Sequence, residues 1–228
     1  MLKTTTHDSE WQPKYFASIT GIFCGLYIIT SVLVPKMIVI FGLILPAGII
    51  TFPLCCIITD LLTEIYGFNR TRQAIWAALT CTILYAIFSQ IAIILPSANF
   101  WEQNQSGFEA YFSTSWRIAA AGCLAWVVGE FTNSYIMSRL KIFQNAKHMS
   151  FRFIGSTIVG QFFDTTVFMT VAFAGTMPWD AFFIMAITGW LFKVGYEIVA
   201  LPLSVPIAKW VKRKEGVEHF DKQEISLI

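Results

Sequence analysis

The chain has 228 residues, of which 56% are apolar and 13% charged, with a mean hydropathy of +0.62 and a formal net charge of +2. Soluble domains carry about 25% charged residues, so an ordinary water-soluble globule is excluded and lipid is the expected solvent. A net charge this small, with Lys and Arg gathered between apolar runs, also excludes a nucleic-acid surface.

In chain order, residues 1–15 are polar and form an expected cytoplasmic tail. The apolar run that follows lacks a small-x-small cleavage site, so no cleavable leader is expected. A helix crossing a bilayer needs roughly 20 apolar residues, and runs of that kind cover 16–34, 46–66, 74–95, 116–137, 153–174 and 181–208. In the first run, Gly21 and Gly25 make a Gly-x-x-x-Gly face, suited either to a neighbouring helix or to a second copy in a homodimer. The apolar stretch continues from 36 to 66, too long for one straight span. A short interfacial or re-entrant piece is therefore expected before the second helix. The sixth run carries Pro202 and Pro206 and is expected to be tilted or broken. Residues 209–228 form a second tail. All five cysteines, Cys24, Cys55, Cys56, Cys81 and Cys123, fall inside the apolar runs without a metal-ligand pattern and read as small packing residues.

The reading is an all-α polytopic membrane protein with six transmembrane helices. Lys3, Lys14, Arg70, Arg72, Arg139, Lys141, Lys147, Arg152, Lys209, Lys212, Arg213, Lys214 and Lys222 make thirteen of the sixteen basic residues, and all fall on one side of that topology. The positive-inside rule then puts both termini in the cytoplasm. The connection 96–115 has Glu102 and Glu109 but no base, and faces outward.

Ionisable groups inside a span are costly and usually face a partner, a cavity or a ligand. Asp60 and Glu64 lie at i, i+4 near the end of the second span, on one helix face. Glu130 and Asn133 share a face of the fourth span, and Gln161 and Asp164 a face of the fifth. Lys193 and Glu197, at i, i+4 on the sixth, read either as an intrahelical ion pair or as part of a pocket. Asp60 and Glu64 read either as a solvated helix end or as pocket residues. Acids at depth outnumber bases, so the remainder must be protonated, bind a cation or meet a donor-rich ligand. Trp126, Phe168 and Trp190 lie three or four residues from these stripes, where a planar solute could stack or where ordinary packing would put them.

No His-Glu-x-x-His, phosphate-binding Gly-rich loop or Gly-x-Ser-x-Gly occurs, so no enzymatic device is recognised and no cofactor or metal is expected. The three histidines fall in tails or connections.

The ordered segments Phe52-Pro53, Thr59-Asp60-Leu61-Leu62-Thr63-Glu64-Ile65-Tyr66-Gly67, Gly129-Glu130-Phe131-Thr132-Asn133-Ser134, Gly160-Gln161-Phe162-Phe163-Asp164-Thr165 and Phe192-Lys193-Val194-Gly195-Tyr196-Glu197 resemble those of the bacterial queuosine precursor transporter family, also labelled vitamin uptake transporters. The resemblance covers roughly 15–210. It implies six inner-membrane helices importing the cyano and aminomethyl 7-deazapurine precursors of a tRNA modification. On that reading Glu130 or Asp164 would accept the donor edge of the base, and Asn133 or Gln161 would take its carbonyl or ring nitrogen. Lys193 would hold Glu197 or Asp164 ionised, and Asp60 and Glu64 complete the expected substrate-binding set. Two other readings stay open: the membrane subunit of an energy-coupling-factor importer, and an intramembrane enzyme.

Overall fold

The computed structural model describes residues 3–5, 13–40, 43–113, 116–145, 147–175 and 178–219. They form seven helices: α1 (Phe16–Leu33), α2 (Phe52–Tyr66), α3 (Phe68–Ile94), α4 (Glu102–Phe112), α5 (Trp116–Phe143), α6 (Met149–Phe173) and α7 (Trp179–Glu215). Four short strands accompany them as two pairs. The first, β1 (Lys3–Thr5), lies parallel to the last, β4 (Val217–His219); β2 (Met37–Ile40) and β3 (Leu43–Pro46) are antiparallel.

The chain is an all-α membrane protein. Helices α1, α3 and the 182–215 stretch of α7 are long and apolar enough to cross a bilayer. Their outward faces carry Phe88, Ile91, Ile94, Leu191, Val199 and Leu203, all about half exposed or more. Such a surface is stable only against lipid. The interior is the reverse: Asp60, Glu64, Glu130, Asn133, Arg152 and Glu197 are each at most 2% exposed.

Helix α2 is the hub. Twelve of its fifteen residues are buried, and it packs against α1, α3, α5 and α7. Lipid therefore reaches little of it, which lets the segment carry two acids. Pro53 opens it at a position where an N–H would be unsatisfied anyway. Gly67 ends it with φ 81°, and α3 starts at the next residue. Only glycine takes that dihedral without strain, so the α2–α3 reversal needs no loop.

One expectation is corrected and one of two alternatives is removed. The second apolar run is not helical from 46: Met37–Ile40 and Leu43–Pro46 form the β2–β3 pair, Ala47–Ile50 a 3-10 turn, and α2 begins at Phe52. The run Met37-Ile38-Val39-Ile40 is rich in β-branched residues, which suit a pleated strand as well as an apolar helix. The sixth run is not broken at its prolines. Helix α7 continues through Pro202 and Pro206 for 37 residues, about 55 Å, and closes on Gly216 in the left-handed region.

The start of α1 and the end of α7 lie at the same end of the bundle. Glu215 accepts the backbone N–H of Lys14 (3.1 Å) and of Tyr15 (2.9 Å) and the Tyr66 hydroxyl (2.7 Å). At the other end, the Tyr111 hydroxyl of α4 donates to the Val32 carbonyl of α1, and Gln90 donates to the Phe112 carbonyl (3.0 Å).

Candidate functional site: a polar core beneath an aromatic cavity

Helices α5 and α6 touch backbone to backbone at Gly129 and Gly160. A Cβ at Gly160 would fall 2.6 Å from the Cβ of Asn133, and one at Gly129 would fall 2.5 Å from the Cβ of Asp164. This close approach brings the Glu130/Asn133 face of α5 beside the Gln161/Asp164 face of α6. With α2 and α7 alongside, the polar residues separate into three groups.

The first is a core of acceptors. Asn133 Nδ2 donates to Asp60 Oδ1 at 2.6 Å, and the Glu197 carboxyl lies in contact with that of Asp60. Glu130 Oε2 accepts the Thr59 hydroxyl at 2.6 Å, with the Cys56 thiol beside it. Gln161 Nε2 donates to Cys56 Sγ at 3.4 Å. Asp60 Oδ2, Glu197 Oε1, Asn133 Oδ1 and Gln161 Oε1 receive no hydrogen bond among the described residues. All four are acceptors, so what they lack is a donor.

The second group is the ion pair of Lys193 with Asp164, made between α7 and α6. It replaces the Lys193–Glu197 pairing that helical spacing offered. Lys193 also stands 4.8 Å above the Phe52 ring. The pair forms part of the lining of a cavity of about 870 Å³ that occupies the α4 half of the bundle, within the range of small-molecule sites. Tyr27, Trp126 and Phe168 line it too. Trp126 stacks on Phe23 at 5.5 Å and lies 4.1 Å from Tyr27. Its indole N–H and the Thr165 hydroxyl have no partner among the described residues. Trp190 instead faces Phe162 and donates to the Ile158 carbonyl (3.0 Å).

The third group closes the opposite end. Arg152 grips Glu64 with two bonds, Nη2 to Oε1 at 2.6 Å and Nε to Oε2 at 3.1 Å. Lys212 adds a third at 2.5 Å, and Lys141 bonds the Glu64 carbonyl at 2.6 Å. Four helices, α2, α5, α6 and α7, are thereby pinned at one point. The structure thus groups Asp60, Glu130, Asn133, Gln161 and Glu197, sets Asp164 and Lys193 at the cavity, and places Glu64 apart in this clamp.

Sequence reasoning missed Arg152, Lys141 and Lys212, which it counted as topology-setting charges, and Cys56, which it took for packing. Thr59 stood in the quoted motif, and its hydroxyl, one residue before an acid, was the available signal.

The family model described as "Putative vitamin uptake transporter" matches residues 46–207, which include α2, α3, α5, α6 and most of α7. The chain belongs to that family. It is also 29% identical over 183 residues, 80% of each chain, to a protein of Bacillus subtilis (strain 168) called "Probable queuosine precursor transporter". No solved structure matches. A solute-sized cavity in the interior is compatible with that membership.

Proposed function

We propose that this chain imports queuosine precursors, 7-cyano-7-deazaguanine and 7-aminomethyl-7-deazaguanine, across the bacterial inner membrane. The observation that carries the reading is the 870 Å³ cavity whose lining combines stacked aromatics with the Asp164–Lys193 pair and an unpartnered indole N–H. A deazaguanine has a planar face for Trp126 and Phe168, adjacent N–H donors for the Asp164 carboxylate, and a carbonyl for Trp126 Nε1 or Lys193. An aminomethyl group adds a cation, which suits an acid-rich interior. Glu130, Asn133, Gln161, Asp60 and Glu197 are the polar groups the base meets as it moves inward, and Glu64 holds the exit shut.

On this reading α1, α2, α3, α5, α6 and α7 are the six spans, α4 lies on the outer face and both termini are cytoplasmic. Support comes from the meeting of Tyr15, Tyr66 and Glu215 at one end, the same end that carries Arg70, Lys141, Arg152 and Lys212. A Cβ at Gly21 or Gly25 would meet nothing within 4 Å among the described residues, and we assign that face to a homodimer contact.

The test is growth and tRNA analysis in cells unable to make the precursors. External cyano or aminomethyl base restores the tRNA modification when this chain is expressed. If no precursor restores it, the substrate reading is overturned. Uptake by vesicles holding this chain alone separates a self-contained carrier from an energy-coupling-factor subunit.

A further inference from the structure

Resting on the transport reading, we propose that Asp60 and Glu197 form a proton-binding pair that moves one proton inward with each molecule of base. The pair joins α2 to α7 at the centre of the bundle, with both residues at most 2% exposed. Two carboxyls in contact are held together by a proton between them, since two ionised groups there would only repel.

The surroundings supply acceptors where a cationic partner is needed. Among the described residues no third group donates to Asp60 Oδ2 or Glu197 Oε1, which leaves them to the shared proton, and none donates to the amide oxygens Asn133 Oδ1 and Gln161 Oε1, whose residues are 2% and 4% exposed. Facing the pair are Glu130 on α5 and Cys56 on α2. Lys193 lies one turn earlier on α7 but is held by Asp164 of α6. From α1, Tyr27 approaches Glu130 and Asp164, and α1 has no charged residue. On α3, the charged Arg70 and Arg72 sit in the first turns, near the clamp end. Among the described residues no cation forms an ion pair with Asp60 or Glu197.

A route for the proton is built in. A second cavity, of about 10 Å³, is lined by Glu197, Gln161, Cys56 and Thr157, room for about one water. Ile49, Phe52, Phe192 and Lys193 line both this cavity and the 870 Å³ one. The two are thus separated by one layer of side chains. A proton delivered by water from the large cavity passes to the Glu197 carboxyl, is shared with Asp60, and leaves toward the Glu64 end when the clamp opens. No bond in the base changes. A transition-metal ion is the poorer occupant, because among the described residues no three His, Cys, Asp or Glu side chains are grouped to hold one.

The experiment uses the full chain, purified and reconstituted in vesicles with a pH-sensitive dye in the lumen. Adding 7-aminomethyl- or 7-cyano-7-deazaguanine outside acidifies the lumen in proportion to uptake, and an acid-outside gradient drives accumulation. Uptake without acidification, or accumulation driven by sodium instead, overturns the proposal. A substrate-free arm reads the pair directly. The infrared C=O stretch of a protonated carboxyl is present in wild type and absent in both Asp60→Asn and Glu197→Gln; a spectrum without that band, or a band surviving in both variants, overturns it. A band of the expected behaviour with no uptake of either base leaves the proton site standing and sinks the substrate reading.

Discussion

At the scale of single residues, the most costly contact to break is the grip of Arg152 on Glu64. Both side chains are fully buried, and Glu64 also holds Lys212, so removing Glu64 leaves the Arg152 charge away from water without its counter-ion. Glu64→Ala is expected to destabilise the protein by about 3–5 kcal/mol, whereas replacing Glu64, Arg152 and Lys212 together with apolar residues of similar size recovers most of that loss. Thermal unfolding in detergent measures both. A second expectation concerns Trp126, whose indole N–H lines the cavity without a partner. Trp126→Phe keeps a ring against Phe23 and Tyr27 but removes the donor, so KM for the base rises by roughly 5–10-fold, the worth of one hydrogen bond of about 1–1.5 kcal/mol. An unchanged KM would show that the indole N–H never meets the solute.

At the scale of elements, the approach of α5 to α6 is the feature most sensitive to a single methyl group. Gly160→Val places atoms where the Asn133 Cβ and the Gly129 carbonyl already stand. Helices forced apart there lose the register that sets Glu130 beside Gln161. Overpacking of this kind costs about 1–3 kcal/mol, and uptake should fall to background while the protein still reaches the membrane, a split that flux and blotting resolve. Gly155→Ala on the same helix is the control, its Cβ meeting only the flexible end of Leu140 at 3.4 Å. Neither glycine pairing was visible in the sequence, where both glycines read merely as parts of motifs. Hydropathy alone marked α1, α3 and α7, because a lipid-facing helix needs no partner to be recognised. It could not separate strand from helix over 37–46, since an apolar β-branched run satisfies either. The polar stripes stood out because lipid penalises them. Their pairings did not, because Lys193 finds Asp164 29 positions away and Glu64 finds Arg152 88 positions away. Local spacing offered Lys193 its own Glu197, and tertiary packing overrode it.

At the scale of the molecule, the topology makes a sharp prediction. Ser106 lies in α4, so a cysteine placed there is labelled by an impermeant thiol reagent from outside intact cells, and one placed at Lys214 only after the membrane is opened. The reverse pattern would invert the whole arrangement. One helix runs between the two ends that such labelling distinguishes. Helix α7 lines the cavity with Ile184 and Lys193, supplies Glu197 to the polar core, and ends with Lys212 on Glu64. Nineteen residues separate the two lysines, about 28 Å of helix, and Pro202 and Pro206 remove backbone hydrogen bonds between them. The helix nevertheless runs through both prolines as one element and so links the cavity lysine to the clamp lysine. Thermodynamic reciprocity then sets a quantitative bond between distant chemistries: whatever factor an occupied cavity applies to the opening of the clamp, a clamp chemically locked shut must apply to the affinity of the cavity.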